Sequence, residues 1–179
     1  MMKKAMYILT ISFALAITMA ACKSPSNEQT QSNDSDSQLL EAEQGILEAN
    51  DRLYEGLNAM FAGDMQVLNA LWSHSESTTY MGPFGGSIMG WTAISEEFNK
   101  VAAMKLGGKI TGSNVHVFPG TDIGYTTCEE VGENISPDGT PVEVSHRTTN
   151  IFQLQEGHWR LIHHHTDIST QLETAFDQD

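Results

Sequence analysis

Three consecutive histidines near the end of the chain are the residues best suited to chemistry. His163 and His165 stand two residues apart, and alternate side chains of a β-strand point to the same face. A neutral imidazole can bind a metal or accept a proton near neutral pH, because its ordinary pKa is about 6.5. His146 on a neighbouring strand could complete an open three-nitrogen site of the zinc type, which would acidify a bound water.

Three interpretations of these histidines stay open. They could be hydrogen-bonded side chains in a semi-polar pocket or subunit interface, ligands of a metal, or general bases. We favour the first interpretation, because a metal site needs a third ligand that the sequence alone does not place. We therefore predict no metal and no cofactor.

Other reactive side chains lie in the predicted strands of the second half of the chain. Glu129, Glu130, Glu133 and Glu143 are expected to form a solvated face, because like charges on adjacent strands usually turn towards water. Cys128 falls in an alternating strand pattern, which predicts a small buried apolar side chain.

The charge balance limits the partners of the protein. Nine Lys and Arg stand against 23 Asp and Glu, which gives a net charge of −14 in 179 residues. Such a surface repels phosphate backbones, so we exclude nucleic acid as a partner. It also repels anionic lipids, so any membrane contact requires an anchor.

The first segment supplies a candidate anchor. A basic start at residues 1–4 is followed by an apolar run at residues 5–21 and then by Cys22. This order is typical of a secretory signal peptide, and two alanines before the cysteine resemble the lipobox of bacterial lipoproteins. The alternative is a membrane-spanning helix, for which a run of ~18 residues is borderline. We predict a removed signal at residues 1–21 and an acylated Cys22 that binds the lipid bilayer.

The remaining pattern predicts one α+β domain. Residues 22–38 hold the acylated cysteine and a polar, disordered tether, residues 39–170 form the domain, and residues 171–179 form an acidic tail. Apolar spacing predicts helices over residues 39–62, near residues 65–72 and from residue 91. An extended segment is predicted at residues 78–81, and long strands are predicted at residues 109–118, 123–135, 142–154 and 159–168, separated by turn residues. Three N-terminal helices should therefore pack on a curved, mostly antiparallel sheet.

Two stretches resemble a known superfamily. The first combines residues 71–72, 80–83 and 90–94, and the second combines residues 147–152 with residues 157–166. Both look like the SnoaL-like or DUF4440-type branch of the NTF2-like superfamily, which also resembles the kinase II association domain and, remotely, ketosteroid isomerase. The resemblance implies a cone-shaped fold with a pocket on its concave face and a convex face that pairs two subunits into a homodimer.

The same resemblance implies which side chains face the pocket. Trp159, Leu161, His163 and His165 of the last strand should point inward, and Arg160, Ile162, His164 and Thr166 should point outward. In the preceding strand, His146, Thr148, Asn150 and Phe152 should point inward. The candidate catalytic residues are His165, His163 and Asn150. The candidate ligand-binding residues are Trp72, Tyr80, Trp91, His146, Thr148, Phe152 and Leu161, although aromatic side chains more often belong to an ordinary core.

Isomerase chemistry is not expected to carry over. The position that matches the isomerase's general base is Gly82, which has no side chain to move a proton. Asn150 matches the acid of the oxyanion hole but is an amide, and Tyr54 is out of register with the isomerase's helical tyrosine. The preferred function is therefore binding of a small apolar or amphipathic molecule. An isomerase, cyclase or hydrolase-like enzyme using pocket His and Asn, and a dimerisation module, are the alternatives.

The predicted location follows from the anchor. Lys23 follows Cys22, and no Asp stands there to signal retention in the inner membrane. We expect the protein in the bacterial cell envelope, lipid-anchored in the outer membrane and facing the periplasm.

Overall fold

Three helices cover one face of a six-stranded sheet in the computed structural model. The structure describes residues 27–169 and residue 174, with side chains from residue 34 onward. The sheet order is β2-β1-β6-β5-β4-β3. The predicted α+β class is confirmed. The predicted signal, Cys22 and nearly all of the predicted tail lie outside the described residues. Among the described residues, no helix has the length and apolar character needed to cross a bilayer.

The three helices begin and end close to the predicted positions, with one exception. They are α1 (Asn27–Phe61), α2 (Gln66–Leu71) and α3 (Trp91–Met104). Gly63 ends α1 with a positive φ of 97°, and the Asp64 carboxylate accepts a 2.8 Å hydrogen bond from the backbone N–H of Gln66. A glycine is suited to the left-handed residue that ends a helix, and the Asp64 carboxylate satisfies one of the free backbone N–H groups at the start of α2.

The exception is the start of α1. Residues 27–38, which we predicted to be a disordered tether, belong to the helix. This stretch contains no Pro or Gly, so a helix that packs from Ala42 onward can continue outward at one hydrogen bond per residue. Its side chains stay exposed between residues 34 and 41. The polar composition correctly indicated an absence of burial but not an absence of helix.

The sheet combines a long meander with a short parallel edge. Its strands are β1 (Thr79–Met81), β2 (Ile88–Met89), β3 (Gly108–Phe118), β4 (Ile123–Ile135), β5 (Pro141–Gln155) and β6 (His158–Thr166). The last four pair antiparallel in chain order, as predicted. β1 lies parallel to β6, with Tyr80 opposite His164, and β2 pairs with β1. The parallel pair and β2 were not predicted, because segments of two or three residues carry no readable alternation.

A bulge in β6 reverses which of its side chains face the helices. Leu161 pairs with Phe152, but the next residue back along β5, Ile151, pairs with His163. Ile162 is thus an extra residue that faces no partner, and a single extra residue moves all later side chains to the opposite face. Leu161 faces the helices as predicted, and after the bulge His164 and Thr166 do so instead of His163 and His165.

The core lies between α1, α3 and the inner face of the sheet. Ile46, Leu53 and Leu57 of α1 are buried. Trp72, which follows α2, packs on Phe98 of α3 with ring centroids 5.7 Å apart. These contacts fix α1 and α3 above the inner rows of the sheet and leave a space between them.

Candidate functional site

Three rows of side chains cross the inner face of the sheet. The strand registers place Thr126, Asn150 and His164 in one row, Cys128, Thr148 and Thr166 in the next, and Glu130 and His146 in the third. All eight residues are buried. The predicted inward alternation of β5, from His146 to Phe152, is confirmed by their burial. The inner face is therefore polar where the helices cover it.

The first row continues onto α1 through a directed chain of hydrogen bonds. Asn50 Oδ1 accepts from the Thr126 hydroxyl at 2.7 Å and from the Asn150 amide nitrogen at 3.0 Å. This fixes the orientation of the Asn150 amide and turns its oxygen towards His164. His164 Nδ1 lies 2.7 Å from Asn150 Oδ1. Because an amide oxygen only accepts, His164 Nδ1 carries the proton.

The tautomer leaves His164 Nε2 as a hydrogen-bond acceptor. Burial, and to a smaller extent the neighbouring His163, His165 and His146, lower the pKa of His164 to about 3. The ring is therefore neutral at any physiological pH. It stacks on Tyr80 with ring centroids 5.6 Å apart and planes within 10° of parallel. His164 is thus a rigid, uncharged acceptor and a weak base.

A cavity of about 290 Å³ opens beside this row, between α1, α3 and the sheet. Most of its lining is apolar and comes from α1, α3, the turn between β1 and β2, and the neighbouring strands. The principal apolar side chains are Leu57, Met60, Phe61, Phe98, Val101 and Ile110. The titratable side chains that line it are Tyr80, Glu97, Glu130 and His164. The volume is near the lower end of the range of ~300–1,000 Å³ for small-molecule sites.

Glu130 is the most unusual group in the cavity wall. Its side chain is only 4% exposed, and its Oε2 atom forms no hydrogen bond with any described residue. Burial raises the pKa of Glu130 to about 7. The prediction of a solvated face is confirmed for Glu129, Glu133 and Glu143, which are exposed, and is wrong for Glu130. The reason is strand alternation, which turns Glu130 inward with Thr126 and Cys128.

Helix α1 covers the middle row, which consists of Cys128, Thr148 and Thr166. The Tyr54 hydroxyl lies 3.1 Å from the Cys128 sulfur, and burial raises the pKa of both groups. Cys128 is buried, as predicted. The hydroxyls of Thr148 and Thr166 and the Nε2 atom of His146 form no hydrogen bond with described residues. Like Glu130 Oε2, these are buried polar atoms without a hydrogen-bond partner among the described residues, but they do not line the cavity.

His163 and His165 lie on the outer face of the sheet, which contradicts their predicted inward orientation. They pair with Ile151 and Thr149, the residues that alternate with inward-facing Asn150. His163 Nδ1 lies 2.6 Å from the Thr79 hydroxyl. His146 is on the inner face, so the three histidines considered as a zinc-type site cannot converge. Across the described chain, no group of three or more His, Cys, Asp or Glu could hold a metal.

The predicted ligand-binding residues divide between core and cavity. Trp72, Phe152 and Leu161 are fully buried core side chains. Trp91 is half-buried and stacks on the exposed His74 with ring centroids 4.9 Å apart. His146 and Thr148 are buried outside the cavity lining. Tyr80 is the one of the seven predicted residues that lines the cavity.

Four residues of the site were missed by sequence reasoning. They are Asn50, Thr126, Glu130 and His164. Asn50 had a signal, since it lies four residues after Ile46 and three before Leu53 on the apolar face of α1. Thr126 and Glu130 had one as well, because they alternate with Cys128. His164 had none, because nothing in the composition of β6 marks the bulge at Ile162.

The structure also explains the glycine at the isomerase's base position. A Cβ atom built on Gly82 would overlap the hydroxyl of Tyr80. The tyrosine therefore occupies the space in which a side chain at position 82 would begin. A carboxylate could not be placed there without moving Tyr80, a residue that packs between Phe98 and His164.

The helices, the mixed sheet and the covered polar face define an NTF2-like α+β protein. Similar solved structures include an NTF2-like protein from Streptomyces avermitilis, provisionally described as a dehydratase, with 20% identity and a TM-score of 0.63 over 76% of this chain and 99% of that chain. A Thiobacillus denitrificans protein, provisionally described as a calcium/calmodulin-dependent protein kinase type II association domain, has 19% identity and a TM-score of 0.55 over 68% and 93%. A Shewanella frigidimarina protein, provisionally described as a ketosteroid isomerase, has 16% identity and a TM-score of 0.54 over 66% and 94%. At these identities the likeness shows the fold alone.

The sequence itself identifies the family. The model of the SnoaL-like domain matches residues 46–169, which is most of the described chain. The chain therefore belongs to the SnoaL-like domain family. No curated protein sequence matches it.

Proposed function

We propose that the domain binds a small, mostly apolar molecule in the cavity between α1, α3 and the sheet. The apolar body of the ligand contacts Leu57, Phe98 and Val101, and its polar end faces Glu130 and His164. The observation that carries this proposal is Glu130 Oε2, a buried acceptor in the cavity wall that forms no hydrogen bond with any described residue. An unsatisfied buried polar group costs roughly 1–3 kcal/mol, and a ligand that donates a hydrogen bond to it recovers that cost.

The structure of the site favours ligand binding over a reaction catalysed by the histidines. His164 is held in one tautomer, as a general base would be, but its pKa of about 3 makes it a poor proton acceptor near neutral pH. His163 and His165, the original catalytic candidates, are outside the cavity. Fixed, neutral hydrogen-bonding groups beside an apolar surface are typical of a binding pocket.

Ligand-observed NMR of the full-length protein with 2-phenylethanol tests the binding proposal. This neutral probe has an apolar ring and one hydroxyl donor. We expect saturation transfer to the probe in the wild type and its loss in Val101→Trp, which fills the cavity from α3. Asn99→Trp is the matched control, because it adds the same side chain to an exposed position of α3. Equal transfer in the two variants, or none in the wild type, would overturn the proposal.

We also propose that acylated Cys22 holds this domain at the outer membrane, facing the periplasm. The net charge of −14 supports an anchored rather than an adsorbed protein. The helical residues 27–38 would then form a spacer about 18 Å long, at ~1.5 Å per residue. Metabolic labelling with an alkyne fatty acid should mark the wild type and not Cys22→Ser, with the label in the outer-membrane fraction. Equal labelling of both proteins would contradict acylation of Cys22.

The outer face of the sheet supports a proposed homodimer. Phe118, Tyr125, Ile151 and His163 form one row across it, and the rings of Phe118 and Tyr125 stack with centroids 4.5 Å apart. Phe118 and Tyr125 are 43% and 41% exposed, which leaves apolar surface for a second subunit. Sedimentation velocity should show a dimer that Tyr125→Arg dissociates. A monomeric wild type would overturn this proposal.

A further inference from the structure

The cavity carries negative charge and lacks a compensating cation. Its charged lining residues are Glu97 and Glu130, and no Lys or Arg of the described chain lines it. Glu97 is partly neutralised, because its carboxylate forms a 3.0 Å salt bridge with Lys100 on the exposed side of α3. Glu130 forms no salt bridge with any described residue and is almost completely buried. An anionic ligand is disfavoured by both carboxylates.

Aromatic rings surround the same space. Phe61, Tyr80, Phe84 and Phe98 all line the cavity, and Tyr80 and Phe98 pack edge to face with centroids 4.9 Å apart. Aromatic faces attract cations, most strongly where water is excluded. A carboxylate combined with aromatic rings is the side-chain chemistry that recognises an organic ammonium group.

We propose that the ligand is a small apolar amine, bound as its ammonium ion against Glu130 Oε2. This inference rests on the proposed binding function and specifies its ligand class. The ammonium donates a charge-assisted hydrogen bond to the free carboxylate oxygen, and its positive charge lies beside the aromatic rings. The apolar body of the amine occupies the space between Leu57 and Val101. The bound cation thereby compensates a charge that the protein leaves buried and unpaired.

The proposed contact between the ammonium ion and the Glu130 carboxylate predicts how binding depends on pH. Glu130 shares the cavity with Glu97 of α3 and the neutral His164 of β6, and the other titratable groups around it are Tyr54 of α1, Tyr80 of β1, Cys128 of β4 and His146 of β5. Burial raises the pKa of the two phenols and the thiol and lowers that of His146, so all four are neutral at pH 8. Glu130 itself loses its proton near pH 7. An alkyl ammonium keeps its proton to about pH 10, so binding should be strongest between about pH 7 and 10.

Isothermal titration calorimetry with a matched pair of probes tests the ligand class. The full-length protein is titrated at pH 8 with 2-phenylethylamine and with 2-phenylethanol, which differ only in the amine and hydroxyl. We expect the amine to bind at least tenfold more tightly. Glu130→Gln should abolish that preference, because it weakens binding of the amine far more than binding of the alcohol. Glu129→Gln, which changes an exposed carboxylate next in sequence, should leave the preference intact.

The outcomes separate this inference from the binding proposal. Equal affinities for the two probes in the wild type, or an unchanged preference in Glu130→Gln, would overturn the amine assignment and leave the binding proposal standing. Failure of both probes to bind the wild type would overturn both. If Glu130→Gln does not fold, the wild type still decides the question. Its preference for the amine should fall at least fivefold from pH 8 to pH 5.5, and a constant preference would contradict the pairing.

Discussion

His164 Nδ1 donates a 2.7 Å hydrogen bond to Asn150 Oδ1, and both side chains lie on the inner face of the sheet. The contact exists because the bulge at Ile162 reverses the alternation of β6. Without that extra residue, His163 or His165 would face the helices. One backbone irregularity therefore decides which of three consecutive histidines belongs to the candidate site.

The first prediction concerns the three histidines. His164→Ala should lower the free energy of unfolding by roughly 2–4 kcal/mol, because it removes a buried ring and leaves Asn150 without its donor. His163→Ala and His165→Ala should each cost less than about 1 kcal/mol, since both lie on the outer face. Urea denaturation at pH 7.5 measures all three. A larger loss of stability for His163→Ala or His165→Ala than for His164→Ala would show that His164 is not the histidine that faces the helices.

The second prediction concerns the hydrogen-bond chain from Asn50. Asn50→Leu leaves the Thr126 hydroxyl and the Asn150 amide without their shared acceptor, so it should cost roughly 2–4 kcal/mol. Asn150→Leu should cost a similar amount. Because the two residues share one network, their effects should not add. The double variant should lose less unfolding free energy than the sum of the two single losses, by about 0.5 kcal/mol or more. Strict additivity in a double-mutant cycle would show that the two amides do not act together.

The third prediction concerns stability and pH. The unfolded chain releases the Glu130 proton near pH 4.5, whereas the folded protein keeps it to about pH 7. The folded state therefore binds more protons in that interval, and its stability falls as the pH rises. The difference amounts to roughly 3 kcal/mol in total and is complete above about pH 7.

Glu130→Gln isolates this contribution. Relative to the wild type, the variant should gain roughly 3 kcal/mol of stability between pH 4.5 and pH 8, because its amide does not ionise. The buried His164 acts in the opposite direction, losing stability as the pH falls below about 6.5. It is present in both proteins and cancels in the comparison. A stability difference that does not change with pH would mean that Glu130 titrates as an exposed carboxyl.

The fourth prediction tests the packing of α1 on the sheet. A Cβ atom on Gly45 would lie 2.5 Å from Cδ1 of the Trp159 ring. Gly45→Ala should therefore destabilise the protein by roughly 1–3 kcal/mol, although the same change in an isolated helix stabilises it by up to ~1 kcal/mol. Glu43→Ala, at an exposed position of α1, is the control and should change stability by less than ~0.5 kcal/mol. Thermal unfolding that ranks Gly45→Ala above the wild type would contradict this contact.

Much of the fold was readable from the sequence because its long elements have strong periodicity. The four strands of the meander were placed within about two residues, since each alternates over nine or more residues between turn signals. β1 and β2 were not recovered as a pair, because strands of three and two residues are too short to show alternation. The helical start of α1 was missed because polar composition was taken to indicate disorder.

The candidate site was less readable than the fold. Alternation grouped Asn150 with its neighbours on β5 and the family resemblance implied that this group faces inward, but neither identified the partner of Asn150 on β6. A bulge is a single inserted residue, and no residue type reports its presence. Glu130 was assigned to solvent because glutamates are rarely buried, although its own strand pattern turned it inward. The rule that governs most carboxylates fails here, because strand alternation places Glu130 on the covered face of the sheet.

A crystal structure of the full-length protein grown with 2-phenylethanol is the most direct test of the proposed binding function. We predict the probe in the cavity, with its ring against Phe98 and Val101 and its hydroxyl within hydrogen-bond distance of Glu130 Oε2 or His164 Nε2. A cavity filled by protein side chains, or a probe bound only elsewhere on the protein, would contradict the account.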